Sequence, residues 1–229
     1  MRGAKIPKKG EQEMKGVITE IERFSLKDGP GIRTTVFFKG CNMACSWCHN
    51  PETLSVKPQL MVYPKNCIGC GACVKACKAG ARTIENGILH YDRSVCTGCG
   101  ACAQSCFTGA LVMSGKEMAV EEVMSEVLQD RGYYRNSGGG VTLSGGEVAA
   151  QPEFAVELLK ALKNENISTA IETNLYAPWS VYESLMPFVD LVMFDIKVFD
   201  SSAHKKWTGV CNQRILENAD RIADSGKPY

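Results

Sequence analysis

The residues best suited to chemistry are three cysteines in Cys41-Asn42-Met43-Ala44-Cys45-Ser46-Trp47-Cys48, spaced C-x3-C-x2-C. Three thiolates at that spacing can ligate three irons of a 4Fe–4S cube, because such clusters select soft sulfur ligands. No fourth cysteine follows at short range. One iron is then left open to a substrate, as the fourth position of a catalytic zinc is. The competing readings are a structural zinc knuckle and a redox thiol pair. His49, directly beside Cys48, is badly placed to complete a zinc tetrahedron.

Eight further cysteines form an internal repeat. The run Cys67, Cys70, Cys73 and Cys77 recurs 29 residues later as Cys96, Cys99, Cys102 and Cys106. Each run reads C-x2-C-x2-C-x3-C, the pattern of two-cluster bacterial ferredoxins, in which three cysteines of one run join the fourth of the other. That rule assigns Cys67, Cys70, Cys73 and Cys106 to one cluster, and Cys77, Cys96, Cys99 and Cys102 to a second. Lys78 and Phe107 stand where the pattern carries proline, which alters the local turn without removing a ligand. Zinc sites would need four cysteines each at other spacings. Cys211 has no partner spacing and reads as a buried free thiol.

Elements must position these groups. Val17 to Phe24 reads as a short strand, Asp28-Gly29-Pro30-Gly31 as a turn, and Thr34 to Phe38 as a buried strand. The cluster loop leaves the carboxyl end of that last strand, where parallel α/β architectures gather their ligand sites. Val120, Val123, Met124, Val127 and Leu128 share one helical face. Strands follow at Val141–Ser144, Thr169–Glu172 and Leu191–Asp195. Between and after them lie a helix from about Pro152 to Lys163, a short one beyond Pro178, and one carrying Ile215, Leu216, Ala219, Ile222 and Ala223. Alternating strands and helices imply a parallel sheet.

Three polar stretches end these strands: Ser144-Gly145-Gly146-Glu147, Glu172-Thr173-Asn174, and Met193-Phe194-Asp195-Ile196-Lys197. Paired glycines let a backbone approach a ligand closely, and a carboxylate can accept hydrogen bonds from an ammonium group. No P-loop lysine follows the glycines, which argues against nucleoside triphosphates. Taken singly, the other two stretches read as solvated charge or turn chemistry sooner than as ligand contacts. Trp47 fits an adenine contact or a core aromatic alike. His90 and His204 carry no signal.

With 26 Lys+Arg against 25 Asp+Glu in 229 residues, the chain has no electrostatic footprint for nucleic acid. Met1 to Met14 is polar and basic without an apolar run, unlike a secretory signal, and reads as a disordered tail or a start upstream of Met14. No stretch approaches the length of a membrane span. Twelve cysteines without a signal point to metal clusters in a reducing cytoplasm. The expected organisation is a tail over 1–15, a first domain part over 16–60, a cluster-binding insertion over 61–113, and the remainder over 114–229.

The C-x3-C-x-aromatic-C run with Trp47 does not stand alone. Asp28-Gly29-Pro30-Gly31-Ile32-Arg33 and Phe37-Phe38-Lys39-Gly40 precede it, and His49-Asn50-Pro51-Glu52-Thr53 follows. From about Gly16 to its last residue the chain resembles the activating enzymes of glycyl radical enzymes, in the radical S-adenosylmethionine (SAM) superfamily. The resemblance implies an α/β fold: a partial (β/α)6 radical SAM barrel with an inserted ferredoxin-like domain of two 4Fe–4S clusters. Four βα units are visible, and Tyr229 stands near the start of a fifth strand. Three 4Fe–4S clusters, SAM and a monovalent cation are the implied cofactors. Gly145, Gly146 and Glu147 match the motif that holds the methionine amino group. Trp47, Cys48, His49, Glu172, Asn174, Met193, Asp195, Ile196, Lys197 and Val198 match stretches lining SAM and the cation. Glu172 stands for a family Asp, and Leu175 for a family Gly.

The implied reaction is reductive cleavage of SAM to methionine and a 5′-deoxyadenosyl radical, which abstracts hydrogen from a glycine of a large partner enzyme. Asp28, Gly29, Pro30, Gly31 and Arg33 match the partner-facing segment. A flavodoxin or ferredoxin donor and a monomeric state complete the expectation, with neither nucleic acid nor membrane as partner. Two alternatives stand beside it: a radical SAM enzyme acting on a small molecule, and a ferredoxin-type electron carrier.

Overall fold

A computed structural model of the chain describes residues 14–229, so nearly all of the expected tail lies outside the described residues. Strand β1 (Lys15–Ser25) runs antiparallel to β2 (Arg33–Phe38). The β-branched and aromatic run of β2 suits a central strand, and five of its six residues are buried. The insertion then leaves through β3 (Gln59–Val62). It holds helix α1 (Ala72–Ala76), the hairpin of β4 (Arg82–Glu85) and β5 (Ile88–Tyr91), and helix α2 (Ala101–Gln104). It returns through β6 (Leu111–Ser114), which pairs antiparallel with β3 as a two-stranded stem.

Beyond the stem come β7 (Lys116–Ala119), α3 (Val120–Val127), α4 (Arg131–Ser137), β8 (Gly140–Gly145) and α5 (Pro152–Asn164). The chain continues with β9 (Ser168–Thr173), α6 (Trp179–Leu185), β10 (Leu191–Phe194), α7 (Ser201–Thr208) and α8 (Gln213–Asp224). The main sheet has the order β10-β9-β8-β2-β1-β7. Strands β2, β8, β9 and β10 are parallel, the four barrel units expected. The antiparallel β1 and β7 make the sheet mixed instead of purely parallel. Only four residues long, β7 gives too short a pattern for sequence periodicity to register.

Helices cover the sheet with the faces their spacing predicts. Val120, Val123, Met124 and Val127 are buried on α3, and Phe154, Leu158, Leu159 and Leu162 on α5. They join Val36, Phe38, Val141, Leu143, Ile171 and Val192 in one large core. The insertion has its own small core of Leu60, Cys73, Cys102 and Leu111. Among the described residues no helix is long and apolar enough to cross a membrane.

Candidate active site and cluster sites

The root of the cluster loop is fixed by contact between backbones. Gly146 N–H donates to the Phe38 carbonyl at 2.9 Å. A Cβ on Gly145 would stand 2.3 Å from Phe38 backbone atoms, and one on Gly146 2.3 Å from the Gly40 carbonyl oxygen. The glycine pair thus lets the end of β8 lie against the start of the loop. The Gly40 and Cys41 N–H groups donate to the carbonyls of Thr53 and Leu54 at 2.7 and 3.2 Å.

Its far side rests on α7. The Ala44 and Ser46 N–H groups donate to the Thr208 and Trp207 carbonyls at 2.9 and 2.8 Å. The last carbonyls of a helix have no intrahelical partners, so they are free to take these amides. Asn174, just past β9, reaches across: its Nδ2 donates to Asn42 Oδ1 at 2.9 Å and lies 3.7 Å from Cys41 Sγ.

These ties bring Cys41, Cys45 and Cys48 to the wall of one cavity of about 380 Å³. Trp47, His49, Gly145, Gly146, Glu147, Glu172, Asn174, Asp195 and Lys197 line it as well. Met193, Ile196 and Val198 do not, although they share the β10 end. Trp47 is 51% exposed at this cavity, so the core-aromatic reading does not hold.

Charge in the cavity is arranged unevenly. Glu147 is buried, and its carboxylate accepts from Ala149 N–H at 3.0 Å, Thr173 Oγ1 at 2.6 Å and Asn174 N–H at 2.8 Å. Burial pushes its carboxyl up, against the pull of those donors. Glu172 is exposed and accepts from Ser144 Oγ at 2.5 Å. Burial lowers the Lys197 ammonium, but the Asp195 carboxylate 3.1 Å away and the thiols of Cys45 and Cys41 carry it above its ordinary value overall. Burial pushes the thiols of Cys41 and Cys45 up, with Lys197 opposing the effect at Cys45.

In the insertion the eight cysteines fall into two sets. Cys67, Cys70, Cys73 and Cys106 line a cavity of about 250 Å³, and Cys77, Cys96, Cys99 and Cys102 line a second of about 20 Å³. Each set takes three thiols from one run and one from the other, as the spacing assigned them. Gly71 before α1 and Gly100 before α2 have φ of +72° and +76°, so both runs turn into their helix through the same left-handed step. Among the described residues no three His, Cys, Asp or Glu side chains converge closely enough to hold a single ion. The thiols line cavities instead, and the second, at about 20 Å³, has room for little more than a water molecule unless its thiols move apart.

Residues 94–229 match the radical SAM superfamily, 66–110 a 4Fe-4S dicluster domain, and 27–82 a 4Fe-4S single cluster domain. The chain belongs to the radical SAM superfamily. It is 42% identical over 216 residues to the (2S)-3-sulfopropanediol dehydratase activating enzyme of Klebsiella oxytoca, covering 92% of this chain and 68% of that one. The (2S)-3-sulfopropanediol sulfolyase activating enzyme of Bilophila wadsworthia is 44% identical over 215 residues, 93% of this chain and 71% of its own. The choline trimethylamine-lyase activating enzyme of Oleidesulfovibrio alaskensis is 44% identical over 209 residues, 90% and 67%. Within the superfamily this chain is an activating enzyme of glycyl radical enzymes, carrying iron–sulfur clusters and acting on SAM.

In this radical SAM enzyme some residues differ from expectation. Arg33 is 1% exposed and donates to Thr142 Oγ1 and the Val141 carbonyl, both at 2.7 Å. Asp28 accepts from Ser25 and Thr35 hydroxyls at 2.8 and 2.5 Å. With Gly29, Pro30 and Gly31 they knot the amino end of β2, opposite the end that releases the cluster loop, and the Arg33 side chain has no face for a partner. Cys211 is exposed, not buried, in the turn between α7 and α8. Leu175 has φ of +56°, the left-handed conformation that suits the family's glycine. Its N–H bond to Thr173 Oγ1 and the Asn218 bond to its carbonyl hold it there.

Sequence reasoning missed α7 and His204. His204 is fully buried and its Nδ1 donates to the Val210 carbonyl at 2.6 Å, bracing the helix end that carries the cluster loop. A signal was present: Asp200 caps α7 through Ala203 N–H, and Gly209 ends it with φ of +85°.

Proposed function

We propose that the cavity at the strand ends holds SAM against a cube ligated by Cys41, Cys45 and Cys48. The observation that carries this reading is the convergence of three thiols, the carboxylates of Glu147, Glu172 and Asp195, and the Lys197 ammonium on a single cavity. When bound, the cluster supplies an electron to SAM, and the resulting 5′-deoxyadenosyl radical takes a hydrogen atom from a glycine of the partner enzyme. The chain's own residues bind, orient and shield. Trp47 offers an aromatic face to adenine at the mouth, with His49 beside it. Glu147 has its oxygens committed to three internal donors, so it holds Asn174 and Thr173 in place. Glu172 is the carboxylate with room for the methionine ammonium, while Asp195 and Lys197 serve the carboxylate side, where a monovalent cation binds. The Gly145 and Gly146 backbone forms the cavity floor.

The insertion holds two further cubes in the cysteine sets given above. They pass electrons from a flavodoxin or ferredoxin to the SAM-binding cube in a monomeric, cytoplasmic enzyme. Anaerobic reconstitution should yield about twelve irons per chain, four for each of three cubes. With dithionite that preparation should form 5′-deoxyadenosine, and mixing with a glycyl radical polypeptide should produce an organic radical signal by electron paramagnetic resonance. Saturation near eight irons would remove one cluster. Cleavage without radical transfer to a polypeptide would favour a small-molecule substrate.

A further inference from the structure

Arg82 opens β4, directly opposite Tyr91 in the hairpin register. It is 4% exposed. Its guanidinium stacks over the Tyr91 ring, 5.4 Å from the centroid, and Arg93 approaches the same ring at 5.8 Å. Nη2 lies 4.0 Å from Cys73 Sγ, while Nε is buried with no hydrogen-bond partner. Among the described residues no carboxylate pairs with it. A desolvated guanidinium that meets no anion is strongly destabilising, so this charge requires a counter-charge.

The two cysteine cavities supply the place for one. Arg82 lines both the cavity of Cys67, Cys70, Cys73 and Cys106 and that of Cys77, Cys96, Cys99 and Cys102. A cube held by four thiolates carries a net charge of about 2− oxidised and about 3− reduced, and net charge and hydrogen bonds to sulfur set its potential. We propose that Arg82 is the shared counter-ion of the two insertion clusters, holding both at higher potentials than their cysteines alone would give. The inference rests on the two-cluster reading of the insertion. Reduction adds one negative charge beside a fixed positive one, so the buried cation favours the reduced form of each cluster. With that charge removed, both clusters become harder to reduce, while the cube of Cys41, Cys45 and Cys48, which Arg82 does not line, keeps its potential.

The test uses the whole reconstituted enzyme as wild type, Arg82→Lys and Arg82→Gln, with redox titrations followed by electron paramagnetic resonance. In Arg82→Gln the reduction equilibrium of both insertion clusters should shift at least tenfold toward the oxidised form, about 59 mV on each one-electron midpoint. Arg82→Lys, which keeps the charge, should stay near wild type, and the third cluster should not move in either variant. If Arg82→Gln fails to assemble the insertion clusters while Arg82→Lys assembles them, the need for charge is supported. Unshifted midpoints, a shift at one insertion cluster only, or equal failure of both variants would overturn the proposal. Wild-type iron near four per chain, or near eight with one insertion cluster absent from the spectra, would instead sink the two-cluster reading and the inference with it.

Discussion

In the insertion, each cysteine-lined cavity draws its four thiols from two eleven-residue runs that share one spacing and one left-handed glycine step into a helix. Little else contributes: two of the four residues in its buried core, Cys73 and Cys102, belong to those thiol sets. The loop of Cys41, Cys45 and Cys48 is the opposite case. It brings three thiols with Trp47 and His49, and it shares its cavity with Phe37 of β2 and the ends of β8, β9 and β10. A closed four-thiolate set leaves nothing for a substrate to bind, which suits electron transfer. A three-thiolate set beside a roomy, charged cavity suits chemistry on a bound molecule. The contrast separates a local, repeated device from one assembled by the tertiary fold.

The sharpest way to break this contrast is Cys48→Ala. It removes a ligand from the substrate-binding cube, and dithionite-driven formation of 5′-deoxyadenosine should fall to background. Measurable cleavage would mean that another iron can serve. Nearly as large is the effect expected from stripping all clusters with a chelator and oxidant. The insertion should lose amide hydrogen-exchange protection over 59–114, since its fold is coupled to its metal, while 140–173 keeps it. Retained protection in the insertion would show that its polypeptide folds without clusters.

Cys102→Ala should act on supply alone. SAM binding and cleavage with a small reductant should persist, while turnover with a protein donor drops about tenfold or more, ~1.4 kcal/mol in apparent barrier. Equal turnover with both donors would leave the insertion as scaffold. The last effect falls on stability and is expected from Glu147→Gln, which sets an amide NH₂ against one of three inward-pointing donors. A loss of about 1–3 kcal/mol in barrel stability should appear as a lower melting temperature, with weaker SAM binding as Asn174 loosens and unchanged insertion clusters. Unchanged stability together with lost SAM binding would return Glu147 to direct contact with the ligand.

Cysteine spacing was enough to group the eight insertion cysteines as they line the two cavities, because their order along the chain dictates which thiols can meet. The long strands and α3, α5 and α8 were legible for a similar reason: their apolar periods are local. Tertiary structure decided what depends on neighbours distant in sequence. It turned the Arg33 guanidinium inward onto Thr142 and Val141, and it committed Glu147 to Thr173 and Asn174. It also made the end of α7 the seat of the cluster loop, through amides of Ala44 and Ser46 that carry no side-chain signature. Arg82 is the plainest instance. Nothing in Ala-Arg-Thr-Ile marks a buried cation; only the folding of both cysteine runs around one hairpin puts its charge on the walls of both cysteine-lined cavities.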